Sequence, residues 1–350
     1  MVSSTQEMDF IGVPPKIGAV IRGRSPVTSL SYHSDGTTLF VASEEDCRLR
    51  LINCQSGTAD RPAVRFEREG IRLVESTHHN HCVLYSGNGV KEEPPIKRHA
   101  VHYLSLHDNK ILRNFSGHTG EISNISMSTV DDTFLTSGAD RTVRLWSLEK
   151  AGCVAEMLLP PNVLEGSSSH AFFDSTGMVF GVSAQTADAQ LINLYDARNY
   201  GAGPFSEMKV TQASIDSAVQ GTGLSPKTTV QLSYAPWRSL SFNASGKQLL
   251  VLADGGVGFV VDGYEGTIDS VLLAKGAGSS SAPPLGACFT PDGQNVLGGN
   301  SDGTVTCWEA KSGKILGTLE GHTGPVRGVA CNPKFAQFAS SCSNTALWQW

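Results

Sequence analysis

The stretch SGHTGEISNISMSTVDDTFLTSGADRTVRLW, residues 116–146, decides the fold. It begins with a Gly-His pair, continues through a β-rich run into the turn MSTVDD (127–132), and ends on an alternating strand, VRLW, that stops at Trp146. In TVRLWSL (142–148) the two-residue strand period puts Val143 and Leu145 on one face and Arg144 and Trp146 on the other. Both faces carry apolar groups, so the strand is expected to be covered on both sides. A related opening, EGHTGPV, occurs at 320–326 and also leads to a strand-terminal tryptophan, Trp348. Trp146 follows His118 by 28 residues and Trp348 follows His322 by 26.

Outward from this stretch the same unit recurs. The turns YHSDG (32–36), FDSTG (173–177), FNASG (242–246), FTPDG (289–293) and CNPKF (331–335) are each followed by an alternating strand, and a weaker copy turns at STHHN (76–80). The closing strand residues are Ile52, Leu104, Trp146, Tyr195, Val261, Trp308 and Trp348, spaced 40 to 66 residues apart. One four-stranded propeller blade takes about 40 to 45 residues, and longer spacings imply insertions. The pattern therefore predicts an all-β chain, a seven-bladed WD40 β-propeller. The seventh copy supplies three strands, and KIGAVIRG (16–23) is apolar enough to provide its fourth, closing the ring with an N-terminal strand. Residues 1–15 then form a tail and 16–350 a single propeller.

Composition narrows the function. A net charge of −6 gives no general attraction to nucleic acid or to anionic membranes. The opening MVSSTQEMDF lacks the charged and apolar regions of a signal peptide, and no apolar run reaches the 18 or so residues of a membrane span. The eight cysteines include no CxxC pair, as expected of thiols in a reducing compartment.

Two residue groups invite an enzymatic reading. His118, Ser137, Asp140 and Trp146 combine a serine, a histidine and an acid. They fall where WD repeats place a buried structural tetrad, with Asp140 accepting from His118, and His118 joined through Ser137 to the Trp146 indole. In a blade wall such a set presents no nucleophile to a pocket, so scaffold is preferred over hydrolase. Asp46 and Asp302, each six residues before its closing position, keep part of the set. His78, His79, His81 and Cys82 are zinc-ligand types, but they crowd one tight turn whose neighbours point apart, whereas zinc needs about four converging ligands. An exposed turn, with Cys82 a small buried hydrophobe, explains them better. No metal, cofactor or catalytic residue is expected.

A binding platform remains. Insertions at about 88–99, 198–237 and 272–284 are expected on the face opposite the first-to-second-strand turns, as loops that are either tolerated or ordered by a partner. Arg72, Arg238 and Arg327 follow the first apolar residue of blades two, five and seven, which places them at the top-face mouth of the central channel. They either hold an acidic or phosphorylated peptide by bidentate contacts or stand as solvated charges.

The segments 102–146 and NPKFAQFASSCSNTALW (332–348), with YDARNYGAGPF (195–205) and CFTPDG (288–293), resemble the WD-repeat subunit shared by the COMPASS histone-lysine methyltransferase and the cleavage and polyadenylation factor. The family motif residues correspond to Leu104 to Asp108, Val130 to Thr133 and Ser341 to Asn344. The resemblance implies a nuclear, non-catalytic adaptor. It would dock the N-terminal region of the methyltransferase catalytic subunit in one complex and a phosphatase-associated subunit in the other, and it would associate with the phosphorylated RNA polymerase II tail. It implies no direct contact with nucleic acid or membrane. A substrate receptor of a ubiquitin ligase is the alternative within the same architecture, and an enzyme using the channel is the alternative outside it.

Overall fold

The computed structural model describes residues 15–164, 167–279 and 286–350. Among these residues, seven antiparallel sheets, six of four strands and one of five, make seven blades around a central channel. The propeller expected from the repeat is the fold.

Each closing residue lies on the third strand of its blade and pairs across to a hydrophobic residue of the second. The pairs are Leu39 with Ile52, Val83 with Leu104, Phe134 with Trp146, Phe180 with Tyr195, Leu249 with Val261, Val296 with Trp308, and Phe338 with Trp348. Phe338 and Trp348 stack at 5.4 Å. The two faces of a blade then serve two neighbours. In blade three, Val143 and Leu145 pack with Ala171 and Phe180 of blade four, while Trp146 and Phe134 pack with Leu84 and Val101 of blade two. Blade one divides the same way, with Phe40 and Leu51 facing blade two and Leu39, Val41 and Ile52 facing blade seven. Every interface between neighbouring blades thus holds its own apolar cluster. Closure is driven by burial between sheets, about 25 cal/mol per Å² of apolar surface removed from water.

The ring closes where the sequence places it. Lys16–Ile21 pairs antiparallel with Thr345–Gln349, aligning Ile17 with Trp348 and Ile21 with Thr345, with an irregularity between Ile17 and Ala19. The Gly23 N–H then donates to Asn344 Oδ1 at 3.1 Å. A Cβ at Gly23 would meet the Ser343 carbonyl at 1.9 Å, so only glycine fits this crossing.

The segment 198–237 does not form one loop insertion. Ser206–Thr211 is the outermost strand of blade four, and residues 212–233 carry two helices, Gln212–Gln220 and Pro226–Ser233. Thr211 and Ser225 cap them, accepting from the Ser214 and Thr228 N–H groups, and Pro226 occupies the first turn. Ile215, Val219 and Leu232 sink into the cluster between blades four and five, beside Trp237. The polar composition conceals an apolar pair at i and i+4 in QASIDSAVQ, and that pair fixes the helix on the propeller. The 88–99 insertion is also folded: it contains the short helix Pro95–Arg98, and the Arg98 guanidinium donates to the Lys91 and Glu93 carbonyls. The third insertion, 272–284, begins within the outermost strand Ile268–Leu273 of blade five, and its residues 280–284 lie outside the described residues, as does the N-terminal tail before Pro15. No helix among the described residues is long and apolar enough to cross a membrane.

Candidate functional site: the channel mouth and its scaffold

The turns between first and second strands share one rim. Among them, the His-rich turn of blade two rests on the corresponding turn of blade three. His78 Nε2 donates to the Ser128 and Asp131 carbonyls at 2.9 and 3.1 Å, and His79 Nε2 lies 3.4 Å from Asp132 Oδ2. His81 adopts a left-handed backbone, φ 67°, that closes the turn. His78 and His79 thus both reach the turn of blade three, whereas His81 lines a cleft with His33 and Asp35 of blade one. Cys82 opens the next strand and is partly buried.

In blade three the buried network is real but runs through a different hydroxyl. His118 Nδ1 is 3.0 and 3.1 Å from the Asp140 carboxylate oxygens, and His118 Nε2 is 2.7 Å from Thr136 Oγ1, which also accepts from the Trp146 indole at 2.8 Å. Ser137, expected in this place, is not part of the chain of bonds. Neighbouring residues of a strand face opposite sides, so Ser137 looks away and bonds Asn124 Oδ1 at 2.6 Å and the Ser169 carbonyl of blade four at 2.8 Å. Blade seven repeats the relay with Ser340, which bonds both His322 and Trp348. No acid stands six residues before Trp348, where Cys342 falls, and the nearby Asn344 accepts from the Gly23 N–H. In blade one Asp46 pairs with Arg50 at 2.5 Å instead of a histidine, and in blade six Asp302 binds Thr304. Burial opposes ionisation of Asp140, but the His118 bond and the Thr119 N–H outweigh it and hold the carboxyl well below the usual range. The network is buried and bonds strand to strand within the blade wall.

The opposite face carries the channel mouth. Arg72, Arg238 and Arg327 stand at the head of innermost strands, immediately before or within Leu73–Ser76, Trp237–Phe242 and Gly328–Cys331. They differ in state. Arg72 Nη2 lies 3.1 Å from Glu121 and also donates to the Ile122 carbonyl of blade three. Arg238 forms a fork with Asp254, at 2.8 and 2.5 Å, which raises the guanidinium above its ordinary value. Arg327 is exposed, with no side-chain partner among the described residues. Two of the three arginines are thus already answered by carboxylates that sequence reading does not place beside them. Glu121 precedes the first strand of blade three and Asp254 follows the second strand of blade five, distant in sequence from the arginines they meet. His170, at the head of the innermost strand of blade four, gives Nε2 to the Trp237 carbonyl at 3.2 Å. Burial pushes its pKa down to about 4, against the carbonyl's pull, so it is neutral at physiological pH.

Below the mouth the channel widens to a cavity of about 390 Å³ lined largely by hydroxyl and apolar groups, among them Ser29, Ser123, Ser126 and Ser239, together with the carboxyl of Glu75. Burial pushes that carboxyl up to about 7 although the Ser31 hydroxyl and the Met127 N–H favour its ionised form. The folded state therefore holds the proton more tightly than the unfolded chain, and Glu75 lowers stability as pH rises from about 4.5 to about 7. Relative to Glu75→Gln, the wild-type protein should lose about 1–3 kcal/mol of unfolding free energy between pH 5 and pH 8. Urea titrations at both pH values read this, and a difference between the two proteins that does not change with pH would refute it.

The mouth thus carries two arginine–carboxylate pairs and one exposed arginine over this cavity. Among the described residues no group of three or more His, Cys, Asp or Glu is placed to hold a metal ion. Comparison with known proteins agrees with the architecture. The WD domain, G-beta repeat family matches residues 16–53, 109–147, 275–309 and 313–350. WD repeat-containing protein 82 of Drosophila melanogaster is 31% identical over 95% of this chain and 93% of its own length. COMPASS component SWD2 of Saccharomyces cerevisiae is 28% identical over 90% of this chain and 88% of its own. Set1 complex component swd2 of Schizosaccharomyces pombe is 28% identical over 76% and 66%. With seven blades, relay networks that end on Trp146 and Trp348, and a likeness that spans nearly the whole chain, this protein belongs to the WD-repeat family that includes WD repeat-containing protein 82 and the SWD2 components.

Proposed function

We propose that the chain is a non-catalytic adaptor in a nuclear histone-lysine methyltransferase complex, where it docks a peptide segment of the catalytic subunit's N-terminal region. The observation that carries the reading is the extent of the likeness to a protein named as a COMPASS component, 90% of this chain and 88% of that one. The same adaptor serves the cleavage and polyadenylation factor through its phosphatase-associated subunit and associates with the phosphorylated tail of RNA polymerase II. This second half rests on the motif residues Leu104 to Asp108, Val130 to Thr133 and Ser341 to Asn344.

The charge state of the mouth refines how an acidic segment would bind. Glu121 and Asp254 already occupy Arg72 and Arg238, so an incoming carboxylate or phosphate gains least there. Arg327 offers its guanidinium without such competition among the described residues. The test is purification of the tagged protein from nuclear extract at moderate salt, with mass spectrometry of what accompanies it. Methyltransferase and cleavage-factor subunits together support the reading, whereas ligase subunits or no stable partner overturn it. For the peptide site, Arg327→Ala should weaken binding of an acidic or phosphorylated segment about tenfold and Arg72→Ala less. Unchanged binding in the triple alanine variant of Arg72, Arg238 and Arg327 would remove the mouth as the site.

A further inference from the structure

The eight cysteines are free thiols, and two of them meet. Cys288 lies in the innermost strand Ala287–Phe289 of blade six, and Cys331 ends the innermost strand Gly328–Cys331 of blade seven. They are 43 residues apart in sequence, yet the Cys288 thiol donates to the Cys331 sulfur at 3.5 Å. Both are partly buried against the apolar cluster between the two blades, which includes Val329 and Phe338. Tyr32, from the innermost strand of blade one, interacts electrostatically with both sulfurs, and its hydroxyl is buried without a hydrogen-bond partner among the described residues.

We propose that Cys288 and Cys331 form an oxidation site, in which a small peroxide converts the pair into a disulfide that ties blade six to blade seven. The sulfurs need to approach from 3.5 Å to about 2.05 Å, a shift within side-chain rotation if the strands hold still. One thiol gives up its proton and attacks a peroxide oxygen; the S–O bond forms, the O–O bond breaks, and the departing hydroxide takes the proton as water. The second sulfur then loses its proton and attacks the sulfenic sulfur; the S–S bond forms, the S–O bond breaks, and the departing hydroxide takes that proton as a second water. Two thiols lose two electrons and two protons, and hydrogen peroxide becomes two waters. The unpartnered Tyr32 hydroxyl is a nearby donor available to the sulfenic oxygen.

The reaction is slow at neutral pH and quickens in alkali, because the thiolate is the nucleophile. The bond from Cys288 and burial together raise Cys331 well above the ordinary thiol value, and Cys307 and Asp292 add to the rise. On the blade-one side the facing groups are Tyr32 and Cys54, the latter pushed up to about 12 by burial. Exposed Cys153 offers an intermolecular side reaction, which Cys153→Ser removes.

Full-length Cys153→Ser protein is treated with graded hydrogen peroxide at pH 8, alkylated, and mapped without reduction. The expected product is a Cys288–Cys331 linked peptide about tenfold or more above any other cysteine pair, reversed by dithiothreitol, with Tm raised by several degrees. Cys331→Ser should instead leave Cys288 as a sulfenic acid that dimedone traps. Because that variant could unfold, phenylarsine oxide, which bridges close dithiols, is added to the unsubstituted pair and should protect both cysteines from alkylation. Oxidation of Cys288 and Cys331 no faster than of Cys54 and Cys307, or no protection by the arsenical, overturns the proposal.

Discussion

Replacing Asp140 by alanine is expected to cost about 3–5 kcal/mol of stability, because it strips the partner from a buried charge-assisted network. Asp140 accepts from His118 Nδ1, the Thr119 N–H, the Thr142 N–H and the Thr142 hydroxyl, at 2.8 to 3.1 Å. His118 is 1% exposed, so water cannot replace what is lost. The effect passes on to Thr136 and to the Trp146 indole, which sits in the cluster joining blades two and three. The pH dependence separates this from simple loss of packing. Since Asp140 is held below its ordinary value, its contribution is full above about pH 4 and fades as pH falls through the folded-state value. The gap between wild type and Asp140→Ala in urea titrations should therefore narrow below about pH 4. A gap of under about 1 kcal/mol at pH 7 would mean that the network is dispensable.

Removing residues 1–21 should be still more damaging to the intact ring. Thr345–Gln349 escapes being a sheet edge only because Lys16–Ile21 pairs with it, and the Gly23 N–H bond to Asn344 locks the crossing. Without its partner, the outer N–H and C=O groups of that strand become an open template for other chains. Ile17 and Val20 leave with the deletion, and Trp348 and Leu347 lose the strand that runs beside them. The expected result is a fall in Tm of about 10 °C or more, with aggregation. Supplying residues 15–24 as a separate peptide should recover part of the loss, since the register of the missing strand is set by its own hydrophobic pattern. Scanning calorimetry and light scattering read both effects, and a truncated protein that stays monomeric with unchanged Tm would show that the seventh blade is stable on three strands.

The placement of individual side chains marks where sequence reading stops. The closing residues from Ile52 to Trp348 are legible because each ends an alternating strand that follows a turn, and strand alternation then dictates its face. Thr136 is easily passed over for Ser137 because both are small hydroxyl residues one position apart. The deciding fact is which of them lies on the Trp146 side of the strand, and a shift of one residue reverses that. The helices Gln212–Gln220 and Pro226–Ser233 are hidden by composition, although Thr211, Ser225 and Pro226 give capping signals and Ile215 and Val219 a helical spacing. The arginines at the mouth are legible as positions but not as charges. Glu121 and Asp254 reach Arg72 and Arg238 only because the ring brings different blades, or different strands of one blade, to the same rim.

Residue type at regular spacing along the chain is sufficient for the repeat and the number of blades, because both are periodic properties of the sequence; the closing strand follows from the incomplete seventh copy and the apolar run at 16–23, and the kinship from particular motifs rather than from spacing. None of these is sufficient to say which hydroxyl completes the His118 network, which arginines are neutralised, that Glu75 is enclosed in the channel, or that Cys288 meets Cys331. Those facts depend on distances set by the packing of whole sheets, in most cases between residues far apart in the chain, and such distances leave no periodic trace in it.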